Sequence, residues 1–447
     1  MTGLRLSRAL RIDQSVAIAI VGAGGKTTSL FQLASELQGR VVVTTTTHLG
    51  INQIAQADAH YVIESPGEII PILAKEKARV ILISGGNFKQ DRIKGPPRDV
   101  IAEIGNLVKK QICHVLVEAD GSRGLPIKAP ADHEPPIPEW VNQVINIAGL
   151  QCIGRLVDSS TVHRPEQFLA LSGAKPTDPI EFEGVMRVAT NQKGGIKNIP
   201  TESKKTLLLN QADVYPQVLH IMQETPRRLW QEAYDQCIVG SIGSQQKVWR
   251  AFGKTAAVIL AAGGSTRMGG TLKQLLEYQG KPFVRCVCET ALAAHLWPVI
   301  LVTGENSEFV ANAVEGLPII IANNSNWKMG QGSSVATGAA QVPAHHDGVI
   351  FLLADMPQVR PEIIHALVEQ YETSEADIIF PSIDGKPANP VIFGASTFSA
   401  LKGLSGEKGG RTLFNKFLTT DLPWTDNSLL LDVDTPEDYR KLLGGAG

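Results

Sequence analysis

Residues 260–276 read LAAGGSTRMGGTLKQLL, directly after the apolar run Ala256–Leu260. A hydrophobic strand that breaks into a small, glycine-dense turn brings backbone N–H groups up to phosphate oxygens. Leu260, Ala261 and Ala262 would lead the chain into that turn, where Gly263, Gly264 and Ser265 would offer amides to a triphosphate. Arg267 and Lys273 would neutralise the charge that gathers when a diphosphate leaves.

Two acidic strand ends fit the same chemistry. Gly348–Pro357 (GVIFLLADMP) is a buried strand closing on Asp355, and Leu431–Asp438 (LDVDTPED) supplies Asp432 and Asp434. Residues i and i+2 on an extended segment share a face. Asp434 is therefore expected to complete with Asp355 a Mg²⁺ site that bridges triphosphate oxygens. The same segment predicts a helix start, with Thr435 as N-cap and Pro436 in the first helical position.

The first half carries a second phosphate-type loop. Gly22-Ala23-Gly24-Gly25-Lys26-Thr27-Thr28 follows the apolar run Val16–Val21 and opens a helical pattern. Gly22, Gly24 and Gly25 would let amides face a phosphate, Lys26 would reach its terminal oxygens, and Thr27 would ligate Mg²⁺ with Thr28 beside it. Ile20 stands where the common GxxxxGK[ST] pattern has glycine, so the loop is a variant. His114–Gly121 (HVLVEADG) ends a strand with Glu118 and Asp120, carboxylates placed to hold Mg²⁺ directly or through water. Leu207–Asp213 (LLLNQAD) resembles the NKxD element that reads guanine, with Asn210 and Asp213 in the key positions and Gln211 replacing the lysine. Arg123 and Lys128 are either an anion clamp or solvated loop charges. Thr44–Thr47 are either phosphate ligands or a β-branched strand end.

Apolar runs alternate with amphipathic stretches along both halves, which predicts an α/β protein of two domains, 1–245 and 254–447, each built on a parallel sheet. The boundary between them is expected within the polar, glycine-bearing segment 240–254. At 447 residues, 43% hydrophobic and 19% charged, the chain can build more than one core. A net charge of −2 offers no basic stripe, so nucleic acid is not an expected partner. No apolar run reaches the roughly 18 residues of a membrane span. The five cysteines form no CxxC and the ten histidines no ligand spacing, pointing to buried thiols in a reducing, cytoplasmic setting.

GAGGKTT, VVTTTT (42–47), VEADGSRG (117–124) with Lys128-Ala129-Pro130, and NQAD together resemble the YqeC family over about residues 10–243. That resemblance implies a P-loop-like domain acting in maturation of selenium-dependent molybdenum hydroxylases, with a nucleotide-binding and a metal- or selenium-handling role both open; GTP or ATP is the expected nucleotide. LAAGGSTRMG with Lys273, LLADMP and DVDTPED resemble the MobA-like NTP transferases over about residues 255–445, the LAAG wording being most similar to the MocA type, molybdenum cofactor cytidylyltransferase. Gly332 and Ser333 (in NWKMGQGSS) then fall on the nucleotide. The resemblance implies a Rossmann-like domain that moves CMP from CTP, with Mg²⁺, onto molybdopterin, with an apo molybdenum hydroxylase as eventual partner. Asn389 and Glu407 depart from the family's acceptor side. A cytidylyl- or uridylyltransferase for a sugar or alcohol phosphate, and a non-catalytic cofactor-delivery chaperone, remain open.

Overall fold

The computed structural model describes residues 3–12, 14–89, 91–224, 228–245, 247–263 and 272–444. The chain divides into two compact units, Met1–Phe252 and Gly253–Gly447.

The first unit is built on nine strands: β1 (Ala17–Gly22), β2 (Val41–Thr45), β3 (Ala59–Val62), β4 (Val80–Ser84), β5 (His114–Glu118), β6 (Gln143–Gly149), β7 (Lys204–Asn210), β8 (Gln236–Ser241) and β9 (Lys247–Gly253). Their order across the sheet is β9-β8-β7-β6-β1-β5-β2-β4-β3. Neighbours from β8 through β3 run parallel. β1 is buried along its whole length, as a strand covered on both faces requires. Ile18 and Ile20 pack into one apolar cluster, whereas Ala17, Ala19 and Val21 pack into another, so alternate residues feed cores on opposite faces.

The parallel register brings the strand ends together. Ile20 lies beside Glu118 on one side and Ile145 on the other. The loop after β1, the carboxylates after β5 and the NQAD turn after β7 all emerge at the same, C-terminal edge of the sheet, where open α/β folds bind ligands. Helix α1 (Lys26–Glu36) starts at the lysine, immediately after Gly25 at φ +121°. Within the segment 240–254, β8 ends at Ser241 and β9 runs from Lys247 to Gly253. β9 carries the first unit to Phe252, and Leu4 pairs back onto Val248.

Among the described residues the main sheet of the second unit holds eight strands: β10 (Thr255–Leu260), β11 (Val299–Thr303), β12 (Ile320–Asn323), β13 (Gly348–Leu353), β14 (Ile378–Ile383), β15 (Lys386–Pro387), β16 (Val391–Gly394) and β17 (Thr419–Pro423). They are ordered β12-β11-β10-β13-β16-β14-β15, with β17 on β14. The sheet is mixed rather than fully parallel. β12, β11, β10 and β13 run parallel, but β16 enters antiparallel between β13 and β14. Helices α2 (Phe283–Ala293), α3 (Gln331–Ala340) and α4 (Pro361–Thr373) cover it, and α5 (Pro436–Gly444) closes the chain. No helix among the described residues is long and apolar enough to cross a membrane.

Cys113, Cys152, Cys237 and Cys288 are buried free thiols. Burial pushes Cys113 up to about 11 and Cys152 and Cys288 up to about 12, which keeps them protonated and inert.

Candidate functional site

In the second unit, register decides which side chains meet. Leu260 pairs with Leu353, and the Ala354 N–H donates to the Leu260 carbonyl at 3.1 Å. Asp355 therefore stands beside the start of the glycine-rich turn, although the two are almost a hundred positions apart. Lys273 returns to this point in a short 3-10 turn (Lys273–Leu275). Its ammonium donates to Asp355 Oδ2 and, at 3.0 Å, to Asp434 Oδ1. Burial alone would lower the Lys273 pKa. The charges and hydrogen bonds of Asp355 and Asp434 outweigh it and hold it above its ordinary value.

Asp432 joins this group. Burial, then the Asp355 and Asp434 charges, push its carboxyl above the ordinary value, against a smaller pull from Lys273 and Arg411. Among the described residues the cluster thus sets three carboxylates against Lys273, an excess of negative charge suited to a divalent cation. No three acidic, histidine or cysteine side chains converge tightly enough to form a complete metal shell among the described residues. Mg²⁺ needs only one or two carboxylates when phosphates and water fill the rest, so Asp355 and Asp434 fit it as a donor pair.

Gln274 was not expected in this site. It is 3% exposed, and its amide donates to the carbonyls of Ala261 (3.2 Å) and Gly263 (2.9 Å). It fastens the Lys273 turn to the strand end from which the glycine-rich loop departs. A glutamine beside a lysine carries no charge pattern, so sequence reasoning passed over it. Gln358 does similar work for the acidic segment, donating to the Ser428 (3.0 Å) and Leu431 (2.8 Å) carbonyls. Thr435 caps α5 as expected: its hydroxyl accepts from the Asp438 N–H at 3.2 Å and donates to the Asp438 carboxylate at 2.7 Å. Gly264, Ser265 and Arg267 lie outside the described residues.

Gly332 and Ser333 sit at the start of α3. The Gly332 N–H donates to Gly406 O at 2.9 Å, and Ser333 Oγ donates to the Gly330 and Asn326 carbonyls at 2.8 and 3.0 Å. A Cβ on Gly332 would meet the Ser405 backbone at 2.8 Å, and one on Gly330 the Glu407 Cα at 2.5 Å. The GEKGGR loop (406–411) is thus packed backbone-to-backbone on the first turn of this helix.

In the first unit the loop 22–28 closes on itself. Lys26 is 5% exposed, and its ammonium donates to Gly22 O and Ser122 Oγ, both at 2.9 Å, and pairs with Asp120 Oδ1 at 3.3 Å. The Gly22 N–H donates to Asp120 Oδ2 at 3.0 Å and the Gly24 N–H to Leu125 O at 3.1 Å. Those two amides serve the protein itself. The N–H groups of Lys26, Thr27 and Thr28 in the first turn of α1 have no intrahelical acceptor and are the ones geometry offers to an anion. The Thr27 hydroxyl donates to Glu118 Oε2 at 2.7 Å. Burial raises the Glu118 carboxyl, against the pull of Lys26 and Thr27.

Lys128 is neither a solvated charge nor an open clamp. Buried at 5% exposure, it donates to Asp120 Oδ2 (2.9 Å), Gly121 O (2.9 Å) and Glu134 Oε2 (3.0 Å). Arg164 grips Glu134 with both nitrogens, at 2.7 and 2.8 Å. Against the cost of burial, these two cations hold the Glu134 carboxyl down to about 2. Thr44 and Thr45 brace the sheet by donating to Ile83 O and Glu118 O.

Comparison with known proteins agrees with this division. Residues 18–166 match the YqeC protein family model and residues 257–422 the MobA-like NTP transferase domain. The uncharacterized protein YqeC of Escherichia coli (strain K12) is 32% identical over 200 residues, 43% of this chain and 75% of that protein. Purine catabolism protein PucB of Bacillus subtilis (strain 168) is 32% identical over 195 residues, 41% of this chain and 92% of that protein. A probable molybdenum cofactor guanylyltransferase of Natronomonas pharaonis is 31% identical over 139 residues, 31% of this chain and 68% of that protein. A mixed α/β unit with this domain is a nucleotidyltransferase. The chain belongs to the YqeC family through its first unit and to the MobA-like NTP transferases through its second.

Proposed function

We propose that the second unit transfers CMP from CTP to the terminal phosphate of molybdopterin and releases pyrophosphate, and that the first unit binds a purine nucleoside triphosphate, GTP or ATP, while assisting maturation of a molybdenum hydroxylase. The observation that carries the reading is Lys273 held between Asp355 and Asp434 at the end of β13, beside the loop that leaves β10. The name of the Natronomonas pharaonis relative supports a molybdenum cofactor as acceptor. The LAAG wording supports cytidine as the base.

In the reaction an ionised oxygen of the acceptor phosphate forms a bond to the α-phosphorus, and the bond from that phosphorus to the β-phosphate oxygen breaks. The leaving group is pyrophosphate. No proton must be removed from the nucleophile, so no general base is required. Lys273 offsets the charge that collects on the departing oxygens, a role Arg267 would share. The turn amides from Gly263 onward hold the triphosphate in place, and positioning of this kind supplies much of the rate. Gln274 keeps Lys273 in register with that turn. Asp355 and Asp434 would hold Mg²⁺, which when bound draws charge from the triphosphate oxygens.

In the first unit, Lys26 and the first-turn amides of α1 would take the β- and γ-phosphates. Thr27 and Glu118, with Asp120 behind Lys26, would hold Mg²⁺. Binding requires Lys26 to exchange part of its contact with Ser122 and Asp120 for phosphate.

Pyrophosphate release measured with each of the four NTPs against molybdopterin, sugar phosphates and alcohol phosphates tests the proposal. Release with CTP that requires molybdopterin is the expected result. Turnover only with a sugar or alcohol phosphate would keep the enzyme and replace the acceptor. Nucleotide binding without turnover on any acceptor would make the protein a carrier and sink the catalytic reading.

A further inference from the structure

A small sheet of the first unit gathers positive charge that the nucleotide reading leaves unused. Three short strands, His48–Gly50, Arg92–Lys94 and Asn87–Lys89, pair antiparallel in that order. Leu49 lies opposite Ile93, and both are 1% exposed in the apolar cluster that holds Leu30 and Leu33 of α1. The residues on either side of them in sequence take the other face. There His48 stands opposite Lys94, and Lys89 stands opposite Arg92 across the hairpin turn. Lys89, Arg92 and Lys94 are exposed.

This face is tied to the strand ends that carry the loop at 22–28. The Gly95 N–H donates to Thr47 O at 2.8 Å, and a Cβ on Gly95 would lie 2.3 Å from Thr45 O, so the hairpin returns onto the chain leaving β2. Just past His48–Gly50, Gln53 accepts at Oε1 from the Gly50 N–H at 2.9 Å and donates from Nε2 to Thr27 Oγ1 at 3.2 Å. Like charges set directly opposite in a sheet repel, as Lys89 and Arg92 do. Asp91 reaches Arg92 only at 3.9 Å, and Glu64 accepts from the Gly86 N–H at 3.2 Å. Among the described residues the Lys94 ammonium has no hydrogen-bond or ion-pair partner. Burial, then the Arg92 and Lys89 charges, lower the His48 pKa, so both cations bear on that ring.

We propose that the face formed by His48, Lys89, Arg92 and Lys94 is a second anion site of the first unit, which takes the phosphate group of a small molecule other than the nucleotide. Facing Cβ atoms across such a sheet are about 5 Å apart, so two adjacent pairs match one phosphate or diphosphate in size. Arg92 supplies a planar fork of donors, and the two lysines supply point charges. An anion seated between the pairs offsets the repulsion of Lys89 and Arg92. A net charge of −2 over the full chain gives no extended basic surface, which weighs against nucleic acid or an anionic membrane as the occupant. The Gln53 link sets the site beside the residues proposed to take the nucleotide's phosphates. The first unit would then hold a nucleotide and a phosphate-bearing ligand side by side.

Lysine acylation of the full chain at constant ionic strength, read residue by residue by mass spectrometry, tests the site with inorganic pyrophosphate as the probe. Pyrophosphate should protect Lys89 and Lys94. Arg92→Gln should raise the half-protecting concentration about 10- to 100-fold, and Lys94→Gln, read at Lys89, should do the same. Arg92→Gln removes a repulsive pair and should melt no lower than wild type, so a lost site is not a lost fold. Lys26→Ala and Lys273→Met should leave the protection unchanged, because those lysines belong to the two other sites proposed to hold phosphates. Equal labelling with and without pyrophosphate would show that this face holds no anion. Protection undiminished in Arg92→Gln would reduce the effect to general surface charge, and the proposal fails. Protection that disappears in Lys26→Ala would put the probe on the loop at 22–28, leaving the nucleotide reading in place and refuting the second site. Protection that survives Lys26→Ala supports the second site whether or not that loop takes a nucleotide.

Discussion

Lys273 is proposed to serve two states. With no divalent ion, its ammonium is the counter-ion that lets Asp355 and Asp434 approach the same point. In the proposed reaction the same charge would be available to the leaving pyrophosphate. Lys273→Met should therefore lower kcat by about 10²- to 10³-fold, the usual cost of removing a preorganised transition-state partner. It should also make thermal stability more dependent on Mg²⁺, since the carboxylates lose their internal cation. Melting curves with and without Mg²⁺, beside steady-state rates, check both effects. His163 gives the first unit a pH signature. Burial, then Arg164 and Lys128, lower its pKa from 6.5 to about 4. The unfolded chain thus takes up a proton between pH 6.5 and 4 that the folded chain refuses, and stability falls as pH falls through that window. Glu134, at about 2 when folded, adds a second loss below pH 4.5. His163→Gln should flatten the first window. The ring is only partly buried, so a difference of roughly 1 kcal/mol, about 2–4 °C in a unit of this size, is expected in melting temperature at pH 5.

Strands and turns differ in how openly the sequence declares them. The strands expected within His114–Gly121 and Gly348–Pro357 form as His114–Glu118 and Gly348–Leu353, because each is an apolar run that ends at or just before an acidic residue, Glu118 and Asp355. β9 (KVWRAFG) carries no clear strand signal in the segment expected to hold the boundary, because an edge strand needs one apolar face only, and Lys247 and Arg250 blur the pattern. The antiparallel β16 leaves no local mark, since pairing direction is set by the return of a distant segment. The candidate sites divide the same way. Residue type and spacing marked Asp355, Lys273 and Lys26 as candidates, and the structure sets Lys273 against Asp355 and Lys26 against Asp120. The Gln274 clasp, the bonds of Asn210 to Gly24 O and the Ile242 N–H, those of Asp213 to Ser241 and Ser244, and the Asp120–Lys128–Glu134 network were not marked, because each depends on which loops meet. The seat of α3 is an example that can be tested. Gly332→Ala drives a Cβ into the Ser405 backbone at 2.8 Å, and neither main chain can yield cheaply. The variant should lose about 1–3 kcal/mol and raise KM for the NTP more than it lowers kcat. Gly403→Ala, whose Cβ would meet ordinary contacts at 3.6 Å, is the matching control.

Across the full chain, each unit carries its own apolar clusters, and the described residues proposed to bind nucleotide in each lie at the strand ends and loops of its own sheet. Leu30, fully buried under the first sheet, is remote in sequence and core from Lys273 and Asp355. Leu30→Ala should cost the first unit about 2–5 kcal/mol while pyrophosphate release by the second unit persists below the new transition, as calorimetry paired with a rate assay would show. The central claim is narrower: the second unit moves the α-phosphoryl group of an NTP and discards the other two phosphates. The direct measurement follows two labels through one reaction, with CTP labelled at the α- or the γ-phosphorus, the full chain, Mg²⁺ and molybdopterin. The α-label should enter the pterin product and the γ-label should appear in pyrophosphate, in equal amounts, and Asp355→Ala should stop both. Recovery of the γ-label in the pterin product or as orthophosphate, or equal turnover by Asp355→Ala, would contradict it.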